Sequence, residues 1–192
     1  MVFGKGINDM TSKIPSYSTW HSMIRRCYSE VYQKNKPTYI GTTVEGKWLR
    51  LSVFNSWFEN NYIESWQLDK DLLSNFGKLY SESTCCFLPN DVNCALKFDI
   101  KDSGLPAGVS FKTENSKYVA QYSRLDENGK RKSVHVLYSN DPNECFLAYK
   151  KAKESYIREL AEKYKSKIPD NVEALAILPY LKNKSWITDE VK

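Results

Sequence analysis

Apolar positions follow two rhythms along this chain. In the first half the spacing is helical. Tyr17, Trp20, Ile24, Cys27, Tyr28 and Val31 recur every three or four residues and predict an amphipathic helix from Ser16, with Arg25 and Arg26 outside its apolar stripe. Lys34 to Pro37 break that pattern, and Thr38 to Val44 reads as extended. Trp48, Val53-Phe54, Trp57-Phe58 and Tyr62 then form a second helical stripe, expected to be core. Residues 1–15 carry glycines at 4 and 6 without periodicity and read as a flexible N-terminus.

From residue 107 the rhythm becomes two, which is the signature of strands with two unlike faces. The strands are Gly108–Lys112, Lys117–Ser123 and Lys132–Leu137. Asp126-Glu127-Asn128-Gly129 joins the last two, because Asn and Gly tolerate the positive φ that tight hairpins need. Val109, Phe111, Tyr118, Ala120, Tyr122, Val134 and Val136 fall on one side. Ser110, Lys112, Val119, Gln121, Ser123, Ser133 and His135 fall on the other, a face that is polar and left uncovered. The apolar side has its cover in the next segment, where Asp141 is a good N-cap with Pro142 at the first helical position and Glu144 three residues on. Cys145, Ala148, Tyr149, Ala152, Tyr156, Leu160 and Tyr164 then make a stripe suited to lie on the sheet. The fold class is therefore α+β, with a three-stranded antiparallel sheet packed on one helix over residues 107–164. The free face of such a sheet is about as wide as a DNA major groove.

Charge adds a direction to this picture. The 192 residues carry net +5, a modest excess, but it is unevenly spread. Residues 1–50 have 8 basic and 3 acidic side chains, residues 51–100 have 3 and 7, and residues 101–140 have 7 and 4. Positive charge thus sits on the N-terminal segment and on the sheet, where phosphates could be held. The five cysteines (Cys27, Cys85, Cys86, Cys94, Cys145) show no disulfide-framework spacing and read as reduced thiols of a cytoplasmic protein. Zinc on Cys85, Cys86 and Cys94 is disfavoured, since adjacent cysteines do not readily face one ion. No apolar run reaches the roughly 18 residues of a membrane span, so no membrane partner is expected.

Gly108-Val109-Ser110, Lys117-Tyr118-Val119-Ala120-Gln121-Tyr122 and Asn143-Glu144-Cys145-Phe146-Leu147-Ala148-Tyr149 together resemble the AP2 DNA-binding domain of phage and mobile-element proteins. The resemblance implies double-stranded DNA as partner, with the exposed sheet face reading bases. The positions concerned are Ser110, Lys112, Gln121, Ser123, Ser133 and His135, with Arg124, Lys130, Arg131 and Lys132 at the strand ends taking phosphates. Arg25 and Arg26 are further candidates for phosphate contact. The face is poorer in arginine than in the plant members of that family.

Residues 68–93 (LDKDLLSNFGKLYSESTCCFLPNDVN), with Trp20, Arg26-Cys27-Tyr28, Trp48 and Trp57 upstream, resemble the HNH-endonuclease-like module of phage proteins, a ββα-metal fold. The module would span 16–98. The likeness places the first metal ligand at Asp69, the general base at Lys70 and a downstream role at Asn93, with Asp69 and Asp71 able to hold Mg²⁺ through hard oxygens. It departs from the nuclease pattern at the base. Lysine is protonated at neutral pH, and the two histidines, His21 and His135, lie outside the motif. A bland alternative is that Asp69 and Asp71 are structural, capping turns or pairing with Lys70. The expectation is a phage-encoded DNA-binding protein with a degenerate nuclease fold and no cofactor, Mg²⁺ being needed only if it cleaves. Two other readings remain open: a metal-dependent homing-type endonuclease using Asp69, Asp71 and Asn93, and a phage product that binds and inhibits a host protein. The tail 165–192, with a short helix expected from Pro169 to Leu178, is expected to pack on the body through Trp186 and Ile187 or to form a homodimer contact.

Overall fold

Trp20 lies at the centre of the first half of the molecule, fully buried, its indole N–H donating to the Trp48 carbonyl at 2.9 Å. The computed structural model describes residues 1–74, 77–96, 104–164 and 167, and the chain divides into two compact units, residues 1–88 and 89–192.

In the first unit α1 (Ser16–Tyr28) and α3 (Leu51–Asn61) pack together, and the Ser16 hydroxyl donates to Asn55 Oδ1 at 2.7 Å. Between them rings from distant segments interlock. Trp48 lies 4.7 Å from Trp57 and 5.1 Å, edge-on, from Phe54, and Trp57 stacks on Phe87 at 5.5 Å. Each such side chain contributes roughly 1.5–3 kcal/mol on burial, so Trp48, Phe54, Trp57 and Phe58 are core, as the spacing of the stripe predicts, whereas its members Val53 and Tyr62 are exposed.

Other expectations for this half need correction. The first helix stops at Tyr28, because Ser29 adopts an extended conformation and its hydroxyl accepts from the Tyr32 amide, capping a separate α2 (Glu30–Asn35). Val31 is consequently 72% exposed instead of continuing the stripe. In the segment expected to be extended, Pro37–Tyr39 turns as a 3-10 helix, and Thr43–Val44 alone is a strand, β1. Trp48 belongs to a separate 3-10 turn, Gly46–Leu49, ahead of α3. Residues 1–15 are not loose at their start. Val2 and Gly6 form a bridge, Ile7 bridges to Arg50, and the Asp9 carboxylate accepts from the Ser52 amide and hydroxyl. Strand β2 (Gln67–Asp69), helix α4 (Asp71–Ser74), β3 (Leu79–Tyr80) and β4 (Cys86–Leu88) complete the unit, β1 pairing parallel with β3 and β2 antiparallel with β4.

The second unit opens with α5 (Asn90–Ala95) and continues into a three-stranded antiparallel sheet in the order β5-β6-β7. The strands are β5 (Val109–Lys112), β6 (Lys117–Leu125) and β7 (Arg131–Ser139). Helix α6 (Pro142–Tyr164) lies on one face, as the alternation predicts. Asp141 Oδ1 accepts from the Asn143 amide at 2.8 Å, and the capping box is completed through a relay: the Asp141 amide donates to Ser139 Oγ, which donates to Glu144. Val109, Ala120, Cys145, Phe146 and Tyr149 form the core between sheet and helix. At the far end of α6, Lys163 and the Tyr164 hydroxyl both donate to Asp91 of α5 at 2.9 Å. The expectations for residues 169–178, 186 and 187 lie outside the described residues. Among the described residues no helix is long and apolar enough to cross a membrane.

Candidate functional site

The face of the sheet turned away from α6 is set by strand register. Ser110 pairs with Val119, Gln121 with His135, and Ser123 with Ser133, so these six residues share that side, as alternation places them. Gln121 spans it. Its Nε2 donates to Ser110 Oγ on β5 at 3.1 Å, and its Oε1 accepts from Ser133 Oγ on β7 at 3.3 Å. Lys112 faces the same way, opposite Lys117, an exposed lysine that the sequence reading left out.

Alternation fails in β7. The register passes from Ala120–Leu137 to Gln121–His135, leaving Val136 as an extra residue, a β-bulge. Val136 and Leu137 both pack against the core, and the parity beyond them is reversed. Tyr138, which strict alternation would place under the helix, therefore emerges beside His135, with its hydroxyl 3.4 Å from His135 Nδ1 and the rings edge to face at 5.8 Å. Tyr138 is 43% exposed and, like Lys117, is a residue of this face that the sequence reading missed. The signal was present: two consecutive apolar residues, Val136-Leu137, interrupt a period of two.

The face is also less open than expected. Val119 is fully buried, and Ser110, Lys112, Gln121 and Ser123 are half-buried. The accessible part runs along β7, through Arg131, Ser133, His135 and Tyr138, with Gln121 beside it, over about 20 Å at some 3.3 Å per residue. On the opposite side, Phe111 is half exposed on the edge strand and leans edge-on against Tyr118 instead of being covered.

The four cations expected to take phosphates divide. Arg124 belongs to the helix side, its guanidinium 5.1 Å above the Tyr156 ring and 3.6 Å from Glu159. Lys132, opposite Arg124, pairs with Asp126 at 3.1 Å. Lys130 and Arg131 are exposed at the hairpin end. That turn differs from the expected one. Gly129 is left-handed (φ +72°) whereas Asn128 is not, and Asp126 Oδ1 accepts from the Asn128 and Lys130 amides. These backbone donors, with Lys132, hold the Asp126 carboxyl below the usual carboxylate range.

The nuclease-like residues have other employment. Strand β2 ends at Asp69, whose Oδ1 accepts from the amides of Asp71 and Leu72 at 2.9 and 2.8 Å, the N-cap geometry of α4. Asp71 is thus on a helix, not at strand spacing from Asp69 as the sequence suggests. Lys70 is only 8% exposed and donates to Asp71 Oδ1 and to the Gly77 carbonyl at 3.1 Å. Burial raises the Asp69 carboxyl above its ordinary pKa, against the opposing backbone bonds. These residues do not suit a divalent cation. One Asp69 oxygen is committed to two amides, Asp71 is neutralised by an ammonium, and among the described residues no group of three His, Cys, Asp or Glu side chains is gathered as ligands. Asn93 is buried on α5, in the other unit.

Arg25 and Arg26 are engaged with aromatic rings, Arg25 above Tyr32 at 5.0 Å and Arg26 above Tyr39 at 5.7 Å. Arg26 also donates to the Tyr80 hydroxyl at 3.5 Å. The five cysteines are free thiols, all buried except the half-buried Cys94. Burial pushes Cys27 and Cys85 up to about 12, so neither is a nucleophile at neutral pH.

Comparison with protein-family models, curated proteins and solved structures gives no match to this chain.

Proposed function

We propose that the second unit binds duplex DNA through the sheet face opposite α6, and that the chain is a phage-type DNA-binding protein. In this reading the β3α unit is AP2-like, and the HNH-like unit before it retains a fold without its chemistry. One observation carries the proposal: a row of accessible hydrogen-bonding side chains along β7, Ser133, His135 and Tyr138, with half-buried Gln121 of β6 beside it and Lys130 and Arg131 at its end. Polar side chains of this kind address base edges, while terminal cations address the backbone. Against hydrolysis stand the capping role of Asp69 and the ion pair of Lys70.

The test is titration of the whole protein with mixed-sequence duplex over a salt series, with Mg²⁺ present and the DNA then run on a denaturing gel. Intact DNA, bound with an affinity that falls steeply as salt rises, is the expected result. Cleavage abolished by Asp69→Ala would transfer the reading to a metal-dependent endonuclease. No binding at low salt would remove the DNA reading and favour a host protein as partner.

A further inference from the structure

The geometry points to Gln121 as an adenine reader, its carboxamide held across the sheet so that one donor and one acceptor remain for a base edge. This inference rests on the DNA-binding reading above and adds the base that the face selects.

A carboxamide has two N–H donors and two acceptor lone pairs. In Gln121 one of each is used sideways, toward Ser110 on one neighbouring strand and Ser133 on the other. The two serines lie on opposite sides of β6, so their bonds occupy the lateral positions of the amide. The remaining N–H and lone pair lie together on its forward edge. Exchanging amide nitrogen and oxygen changes nothing in this respect, because a serine hydroxyl both donates and accepts. A forward donor beside a forward acceptor matches adenine, which offers N7 as acceptor and N6–H as donor in the major groove. Guanine offers two acceptors there, so its O6 would face the Gln121 oxygen. Cytosine and thymine each supply a single complementary group. The serines also fix the amide before DNA arrives, which reduces the entropy lost on binding.

The experiment uses the full chain. Duplexes enriched from a random library by the wild-type protein are compared in affinity with the same duplexes carrying 7-deazaadenine at the selected position. That base retains Watson–Crick pairing but lacks the N7 acceptor. Enriched sites are expected to share one adenine, and 7-deazaadenine there weakens wild-type binding by about tenfold, within the range for bidentate base contacts. Gln121→Ala weakens the parent duplex similarly and is then insensitive to 7-deazaadenine, the non-additivity of two groups in contact. Ser110→Ala with Ser133→Ala, which releases the amide, lowers the preference for adenine over guanine several-fold and leaves the salt slope unchanged. The inference is overturned if selected sites lack a common adenine, or if 7-deazaadenine weakens wild type and Gln121→Ala by the same factor. Duplex binding without adenine selectivity defeats this inference alone. Absence of any duplex binding at low salt defeats it together with the function on which it rests. The wild-type comparison does not depend on the folding of any variant.

Discussion

Asp69 holds two amide protons at the start of α4 with a single oxygen, in surroundings that raise its pKa. The folded protein therefore binds the Asp69 carboxyl proton more tightly than the unfolded chain does. Its contribution to stability falls as pH rises from the ordinary aspartate value of 3.8 through the raised one. Asparagine at the same position keeps an acceptor for both amides and carries no charge to desolvate. Asp69→Asn is therefore expected to equal or exceed wild type in urea unfolding at pH 8, with any lead shrinking toward pH 4; a loss of several kcal/mol at pH 8 would mean that the charge itself is needed. At this scale the sequence was legible in kind but ambiguous in use. Asp-Lys-Asp reads as ligands on a strand or as a structural turn cap, and the backbone transition after Asp69, which decides between them, depends on the pairing of β2 with the distant β4.

Among the elements, α6 and the three strands were legible because each obeys a strong local rule: a cap, a stripe, an alternation. What escaped was the local departure from each rule. Ser29 ends one helix by capping another, and Val136 resets the parity of β7. Gly108 marks where β5 meets α6 and is left-handed at φ +74°. A Cβ there would fall 2.1 Å from the Tyr149 ring. Gly129 in the hairpin has nearly the same φ, +72°, but open space around it. Gly108→Ala is expected to destabilise by at least about 2 kcal/mol, combining backbone strain with displacement of a buried ring, whereas Gly129→Ala costs about 1 kcal/mol for strain alone. Urea midpoints of the two variants measure the difference. Equal losses would show that Tyr149 moves aside freely.

Over the whole molecule, the uneven charge seen in the sequence was a correct guide to composition but not to availability. Arg124 and Lys132 are committed to Glu159 and Asp126, while Lys130 and Arg131 remain exposed. Each phosphate neutralised contributes about 0.9 to the slope of log affinity against log salt. Lys130→Ala with Arg131→Ala is expected to lower that slope by about 2 and weaken all sequences alike, and Arg124→Ala is expected to leave it unchanged; a reduced slope for Arg124→Ala would return that residue to the DNA side. The pairing of Lys163 and Tyr164 with Asp91 bears on how this protein can be divided. It joins residues 72 and 73 positions apart, so the start of the second unit and the end of α6 hold each other. The strands and helix visible in the sequence begin at 107, but a fragment cut there leaves α5 behind and frees the last turn of α6. The natural excision point is the residue pair 88 and 89, ahead of the first partner in that clasp.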